Sequence, residues 1–482
     1  MLESDLALGV SPLWLPPRSL DASPVLPPDI LRAMAKEILE LSTADTMSVY
    51  IDHTATGVAR VARGRVRLQE SGSAFRIYLV TRFGHRAEVT FSMDQFDRST
   101  LRQAVRYLDQ LARTQSGDPI SLTMPALPRV YGPNTTWHDA TARALASSRH
   151  AAVPALIIPV LDAGFAASGM IGVYAHSTVF ANTEGLMVSG QETDAELAVT
   201  AWSADGKGAG WAGQTSRDWT TLRPDAIARR AIHLAERAAN PVAYEPGRYT
   251  TILDRPAVVQ LVNRMGEHFD AHATFERLTA LFNTSTLRPK LNEPVVDQRI
   301  TLSSNPNDPD GGYLPFNYRG DPLIPMTWVD RGIHTNLAYS ADYAAAVGYA
   351  PPNDAPTSLR MDNVSRDTPT SVEEMIASCR NGIYVNRLAY VGPTGDLANG
   401  LLSGVTAGGC FLIRNGKIEK AIKNLRFLDS PWFFLNRLEA IGTPERASFG
   451  YAPWAGGWPV TPTIVPPLMI RDFNFTATAD NV

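Results

Sequence analysis

Two histidines and a glutamate recur at intervals of four in the stretch ILDRPAVVQLVNRMGEHFDAHATFERLTALF: His268, His272 and Glu276. On an α-helix, residues four apart lie one above another on one face, so the trio would present two imidazole nitrogens and a carboxylate oxygen in a row. That is a ligand set for zinc. Upstream, Val258, Leu261, Val262 and Met265 hold helical spacing, and steps of 3.6 residues carry their apolar face beside His268 and Phe269, then His272, then Glu276. The polar trio thus continues a stripe expected to be buried, where an imidazole or carboxylate without partners costs roughly 1–3 kcal/mol or more. A metal ion would satisfy these groups, and so would the hydrogen bonds of core or interface histidines. The spacing alone does not choose between them.

Other chemistry is harder to find. No Gly-x-Ser-x-Gly elbow precedes a helix, and neither Cys379 nor Cys410 has a histidine beside it in sequence. The glycines of GKGAG lack the strand, lysine and Ser/Thr context of a phosphate cradle. The carboxylates of NPNDPDGG, residues 305–312, have no glutamate at the twelfth place of a calcium loop and read as a plain turn-rich connection. Trp432, Trp454 and Trp458 near the C-terminus are candidates for a cleft lining or for core.

The elements that must position the trio can be read along the chain. A proline-rich arm, 1–27, precedes an amphipathic helix with Ile30, Leu31, Met34, Ile38 and Leu41 on one stripe. Residues 47–92 alternate apolar and polar side chains between turn signals, which predicts an antiparallel meander, and a second helix begins near 99. The prolines and glycine of 116–133 read as a linker. A short helix over 136–150, a strand at PALIIPVLD, further strands and a helix at LRPDAIARRAIHLAERAAN make a second unit. A helix over 255–281 then carries the trio, followed by strand-like pieces and long loops, the kind of loops that carry function. The expected fold is α+β, with an N-terminal region of antiparallel sheet plus helices and a β-rich, barrel-like antiparallel C-terminal domain. The expected units are the arm 1–27, an α+β domain 28–133, a central α+β region 134–245 and the C-terminal domain 246–482.

A chain of 482 residues suits two or three domains. A net charge of -4 supplies no basic field for a phosphate backbone, so nucleic acid is not an expected partner. No stretch approaches about 18 uninterrupted apolar residues, so no membrane span is expected. Two unpaired cysteines and the absence of a basic-then-apolar leader fit a cytoplasmic protein.

The C-terminal text, SVEEMIASCRNGIYVNRL followed by LLSGVTAGGCFLIRNGKIEKAIKNLRFLDSPWFFLNRLEAIG, closely resembles the end of TldD/TldE proteins, also called PmbA or modulators of DNA gyrase. The segments ARVARGRVRLQESG and VFANTEGL look like their counterparts in that family, so the resemblance runs from about Asp29 to Thr476. It implies a zinc peptidase assembly, commonly a heterodimer. In it a TldD subunit supplies a helix with His-Glu-x-x-x-His and a late cysteine, and a TldE subunit lacking those ligands completes the chamber. It also implies peptide or amide substrates, in peptide trimming or in antibiotic biosynthesis. Here the corresponding stretch is Glu267-His268-Phe269-Asp270-Ala271-His272, so glutamate and histidine are exchanged and only His272 matches. After Ile441 no cysteine follows. The resemblance therefore points to a TldE-like subunit with a degenerate metal motif, zinc lying in a TldD-like partner and absent or weakly held here. Glu267 is left as the candidate catalytic carboxylate. Two further readings stay open: an independent metallohydrolase with a rearranged His268, His272, Glu276 site, and a homodimeric protein that binds a peptide or small molecule without cutting it.

Overall fold

The structure is a computed structural model describing residues 25–83, 85–93, 97–114, 130–144, 146–348, 356, 358–365, 370–447 and 462–479. Of the expected arm only 25–27 fall within the described residues, most of the expected linker lies outside them, and so do Trp454 and Trp458.

The first two expected units share one sheet. Strands β1 (Thr46–Ala62), β2 (Arg65–Phe83), β3 (His85–Met93), β4 (Ala166–Asn182), β5 (Met187–Trp202) and β6 (Ala209–Ser216) pair antiparallel in the order β3-β2-β1-β4-β5-β6. The β1–β2 hairpin turns through Arg63 at φ 52 and Gly64 at φ 70, the positive dihedrals that a tight two-residue turn demands. The pairing of β1 with β4, from Ser48 opposite Asn182 to Val61 opposite Gly169, carries hydrogen bonds across the boundary expected near residue 133.

One face of the sheet is covered by helices. Helices α1 (Pro28–Leu41) and α2 (Arg98–Thr114) pack Leu31, Met34, Leu101 and Val105 onto Val49, Ile51, Ile77 and Val179. Beyond the short turn of helix α3 (Asp139–Ala142), helices α4 (Ala146–Asp162) and α5 (Pro224–Arg237) cover Ile171, Leu197 and Val199. The run PALIIPVLD is therefore helix, not the expected strand. Its buried residues Leu156, Ile157 and Val160 continue a helical stripe from Val153, and a short apolar run bounded by turns carries no period that separates the two cases.

The C-terminal region holds a closed five-stranded barrel. Strand β7 (Gly247–Leu253) pairs with Leu468–Thr478, which pairs with Leu425–Asp429, then Leu402–Arg414, then Asn381–Pro393, and the last returns to β7 in parallel. Alternation along these strands serves two layers. Ile252, Tyr384, Phe411 and Met469 meet Leu234 and Ala238 at the end of α5, whereas Leu253, Ile383, Val385, Leu412 and Ile470 meet Val258, Leu261, Val262 and Met265 of helix α6 (Arg255–Gly266). A smaller sheet built on Ile300–Ser304, Met326–Asp330 and Arg360–Asn363 packs beyond α6. The fold is α+β, with antiparallel sheets and a β-barrel C-terminal region. Among the described residues no helix is long and apolar enough to cross a membrane.

The helix reading of PALIIPVLD separates two neighbouring residues that a strand would place on one face. Leu156 is fully buried and Ile158 is 51% exposed. Leu156→Ala should lower unfolding stability by about 2–5 kcal/mol, and Ile158→Ala should change it by less than about 0.5 kcal/mol. Urea denaturation of the two variants decides it, equal losses being the result that contradicts the helix.

Candidate functional site

The helix expected over 255–281 ends at Gly266. A 3-10 turn, Glu267–Phe269, follows, and Asp270 is extended at φ -64 and ψ 122 before a short helix, Ala271–Phe275. One local and one long-range interaction enforce the break. The Asp270 side chain accepts from the Ala273 N–H at 2.7 Å, the arrangement of a helix N-cap. The backbone on either side of Asp270 pairs with Ala338, whose N–H donates to Phe269 at 2.7 Å and whose carbonyl accepts from Ala271 at 2.8 Å.

The break separates the trio that a continuous helix would have aligned. His268 turns inward: it is buried, its Nδ1 accepts the Ala280 N–H at 3.0 Å, and its ring meets Trp432 edge-on at 5.6 Å between centroids. Burial pushes its pKa down to about 4, so the imidazole is neutral. His272 is exposed and stacks on Tyr343 at 4.8 Å. Glu276 is exposed at the C-terminal end of the short helix. Glu267, the candidate catalytic carboxylate, is exposed and paired with Arg264 at 2.6 Å. Trp432 is buried in the core beside His268.

Zinc needs four donors at roughly 2.0–2.3 Å in a tetrahedron, and the trio does not fit that demand. One nitrogen of His268 is committed to a backbone N–H, while His272 and Glu276 lie on a solvent-facing helix. Among the described residues no three His, Cys, Asp or Glu side chains converge as a metal-binding group. Neither cysteine adds a donor: both are buried, and burial pushes the Cys410 thiol up to about 12.

A different cluster occupies the sheet face that looks toward the C-terminal region. His176 on β4 stands opposite Glu192 on β5, with Nδ1 3.1 Å from Glu192 Oε1 and Nε2 2.8 Å from Asp52 Oδ1 on β1. Arg217 Nη1 lies 3.3 Å from Glu192 and 3.8 Å from Asp194, and its other nitrogen donates to the Gly312 carbonyl. Arg446 pairs with Asp194 and donates to the Asp310 carbonyl at 2.6 Å. Burial alone would lower the His176 pKa, yet Asp52 and Glu192 raise it to about 10, and the same contact holds Asp52 below the usual carboxylate range. His176 is thus an imidazolium between two carboxylates. Sequence reasoning missed this cluster. Its one visible signal was the period-2 placement of Glu192, Asp194 and Glu196 in QETDAEL, acids on one face of a strand that proves to be covered.

Two family models match the chain: the PmbA/TldA metallopeptidase central domain over residues 137–239 and the PmbA/TldA metallopeptidase C-terminal domain over residues 246–477. Together they account for more than half of it. The chain belongs to the PmbA/TldD metallopeptidase family. Among relatives of this PmbA/TldD chain, proteins named metalloprotease from Methanothermobacter thermautotrophicus and Archaeoglobus fulgidus are 22% identical over 293 residues and 24% identical over 259 residues. These matches take in 58% and 51% of this chain, and they span 63% and 58% of the relatives' lengths. In fold it resembles TldE from Thermococcus kodakarensis, with a TM-score of 0.77 at 15% identity over 92% of this chain and 99% of the other. It also resembles a Thermotoga maritima protein described as a modulator of DNA gyrase, with a TM-score of 0.74 at 16% identity over 93% of this chain and 99% of the other.

In this PmbA/TldD chain the buried cluster makes a pH prediction. The folded pKa of His176, about 10, lies above the ordinary 6.5. Its contribution to stability is therefore complete below about pH 6.5 and is lost as pH rises through about 10. His176→Gln should lose about 3–5 kcal/mol at pH 6, and its deficit relative to the natural chain should shrink toward pH 10.5. Denaturant midpoints across that range test this, and a deficit independent of pH would contradict it.

Proposed function

We propose that this chain is the TldE-like, non-catalytic subunit of a TldD/TldE-type zinc peptidase or amide hydrolase, completing the chamber around a TldD-like partner in peptide trimming or natural-product tailoring. The observation that carries the reading is the divergence of donors after Gly266: His268 buried and committed, Glu267 paired outward, His272 and Glu276 exposed on a separate helix. In the partner, a bound zinc would polarise the scissile carbonyl and lower the pKa of its attacking water. The residues of this chain have a different task. The surface around His272 exposes Phe275 and Val347 beside Tyr343, which stacks between His272 and Tyr339. Large apolar side chains left open in this way suit cover by another subunit or by a peptide. In this reading His272 acts as part of an aromatic contact surface, and zinc is absent or weakly held. A cytoplasmic setting and the absence of nucleic-acid and membrane partners belong to the same proposal.

The test is co-expression with a TldD-like subunit bearing intact ligands. A stable mixed assembly should form and hydrolyse unfolded peptide, the isolated chain should not, and Phe275→Asp should weaken the assembly at least about tenfold, the loss of one buried anchor. Turnover by the isolated chain at the rate of the pair would overturn the proposal. So would a homodimer that binds peptide without cutting it and ignores the partner.

A further inference from the structure

The opposite end of α6 opens onto a cleft of about 500 Å³ that plays no part in the reading above. The volume lies within the range of small-molecule sites. With 12 residues in α6, the cleft is about 18 Å from the motif remnant. One wall is α5, where Arg230, His233 and Arg237 recur at spacings of three and four and therefore share a face. Another is the helix Val372–Ser378, which carries Glu373, and an apolar floor includes Leu234, Ile376 and Pro467.

The charges in the cleft divide into those already used and those left over. Asp254 is buried and fully engaged: Oδ1 accepts the Arg255 N–H at 2.8 Å, and Oδ2 accepts from Arg230 and from the Tyr384 hydroxyl, each at 2.7 Å. Arg255 is tied to Glu445 at 2.8 Å and to the Thr443 carbonyl at 2.9 Å. Arg237, His233 and Glu373 are exposed on the cleft and no ion pair engages them among the described residues, while the charge of Glu373 acts at longer range on Arg230. An anion alone would meet Glu373, and a cation alone would meet Arg237. A zwitterion with its charges a few bonds apart satisfies both walls, and a side chain between them covers the apolar floor.

We propose that this cleft binds a short peptide with free termini, its carboxylate on Arg237, its ammonium on Glu373, and an apolar side chain over Leu234 and Ile376. The placement does not rest on the TldE-like reading, since the motif remnant contributes nothing to the cleft's lining. Its failure would leave that reading untouched.

Isothermal titration calorimetry of the full chain with the dipeptide leucyl-leucine tests it. Saturable binding is expected, weakened at least about tenfold by N-acetylation and likewise by C-terminal amidation, each cap removing one charged contact. Arg237→Ala should erase the penalty of amidation, and Glu373→Gln should erase the penalty of acetylation. Both side chains are exposed, so thermal melting should show the variants folded like the natural chain. Three results would overturn the proposal: no saturable binding at millimolar dipeptide, capped forms that bind as well as the free one, or variants that bind and discriminate like the natural chain.

Discussion

The carboxylate of Asp254 joins three parts of the molecule that otherwise meet through apolar contact. It caps the N-terminus of α6, takes the Arg230 guanidinium from the helical layer and takes the Tyr384 hydroxyl from a barrel strand. A buried carboxylate is tolerated only when its charge and lone pairs are answered, and here every partner comes from a different element. Asp254 thereby fixes where α6 begins and how it lies against the barrel. At the other end of the helix the Asp270 cap and the pairing with Ala338 set where the chain leaves it, and with that the direction in which His268 points. The N-terminus of α6, its apolar face and the inward turn after Gly266 form one mechanical unit.

A second polar junction holds the sheet to the C-terminal region. His176, Asp52, Glu192 and Asp194 on the sheet meet Arg217 and Arg446, whose guanidinium groups also reach the carbonyls of Gly312 and Asp310. Asp52 and Glu192 each lie against one nitrogen of the His176 ring and favour its protonated form, which is the physical reason for its raised pKa. The loop near Gly312 and the strand bearing Arg446 are thus seated by charge and hydrogen bonds as much as by apolar packing.

Much of the fold was legible where local chemistry and tertiary demand agree. The alternation of 47–92, the stripes of α1 and α5 and the strand-like GGCFLIRNGKI all stand where their patterns place them. Legibility failed where they compete. PALIIPVLD is apolar on nearly every side and has two prolines, so only its buried positions, known from the structure, reveal a helix. The stripe from Val258 to Glu276 mimicked one long helix because apolar periodicity ran through Asp270, where a capping bond to Ala273 is reinforced by flanking pairing with Ala338, on a segment some 70 residues away. The imidazolium cluster draws on residues 52, 176, 192, 217 and 446, a juxtaposition that no local spacing encodes.

The central claim is that the break after Gly266 leaves this chain without a working set of metal donors. Zinc titration of the isolated, metal-free chain by equilibrium dialysis, alongside His268→Ala and His272→Ala, tests it most directly. The account predicts no stoichiometric tight uptake and the same weak binding in all three proteins. One zinc per chain, held tightly and lost in both variants, would contradict it.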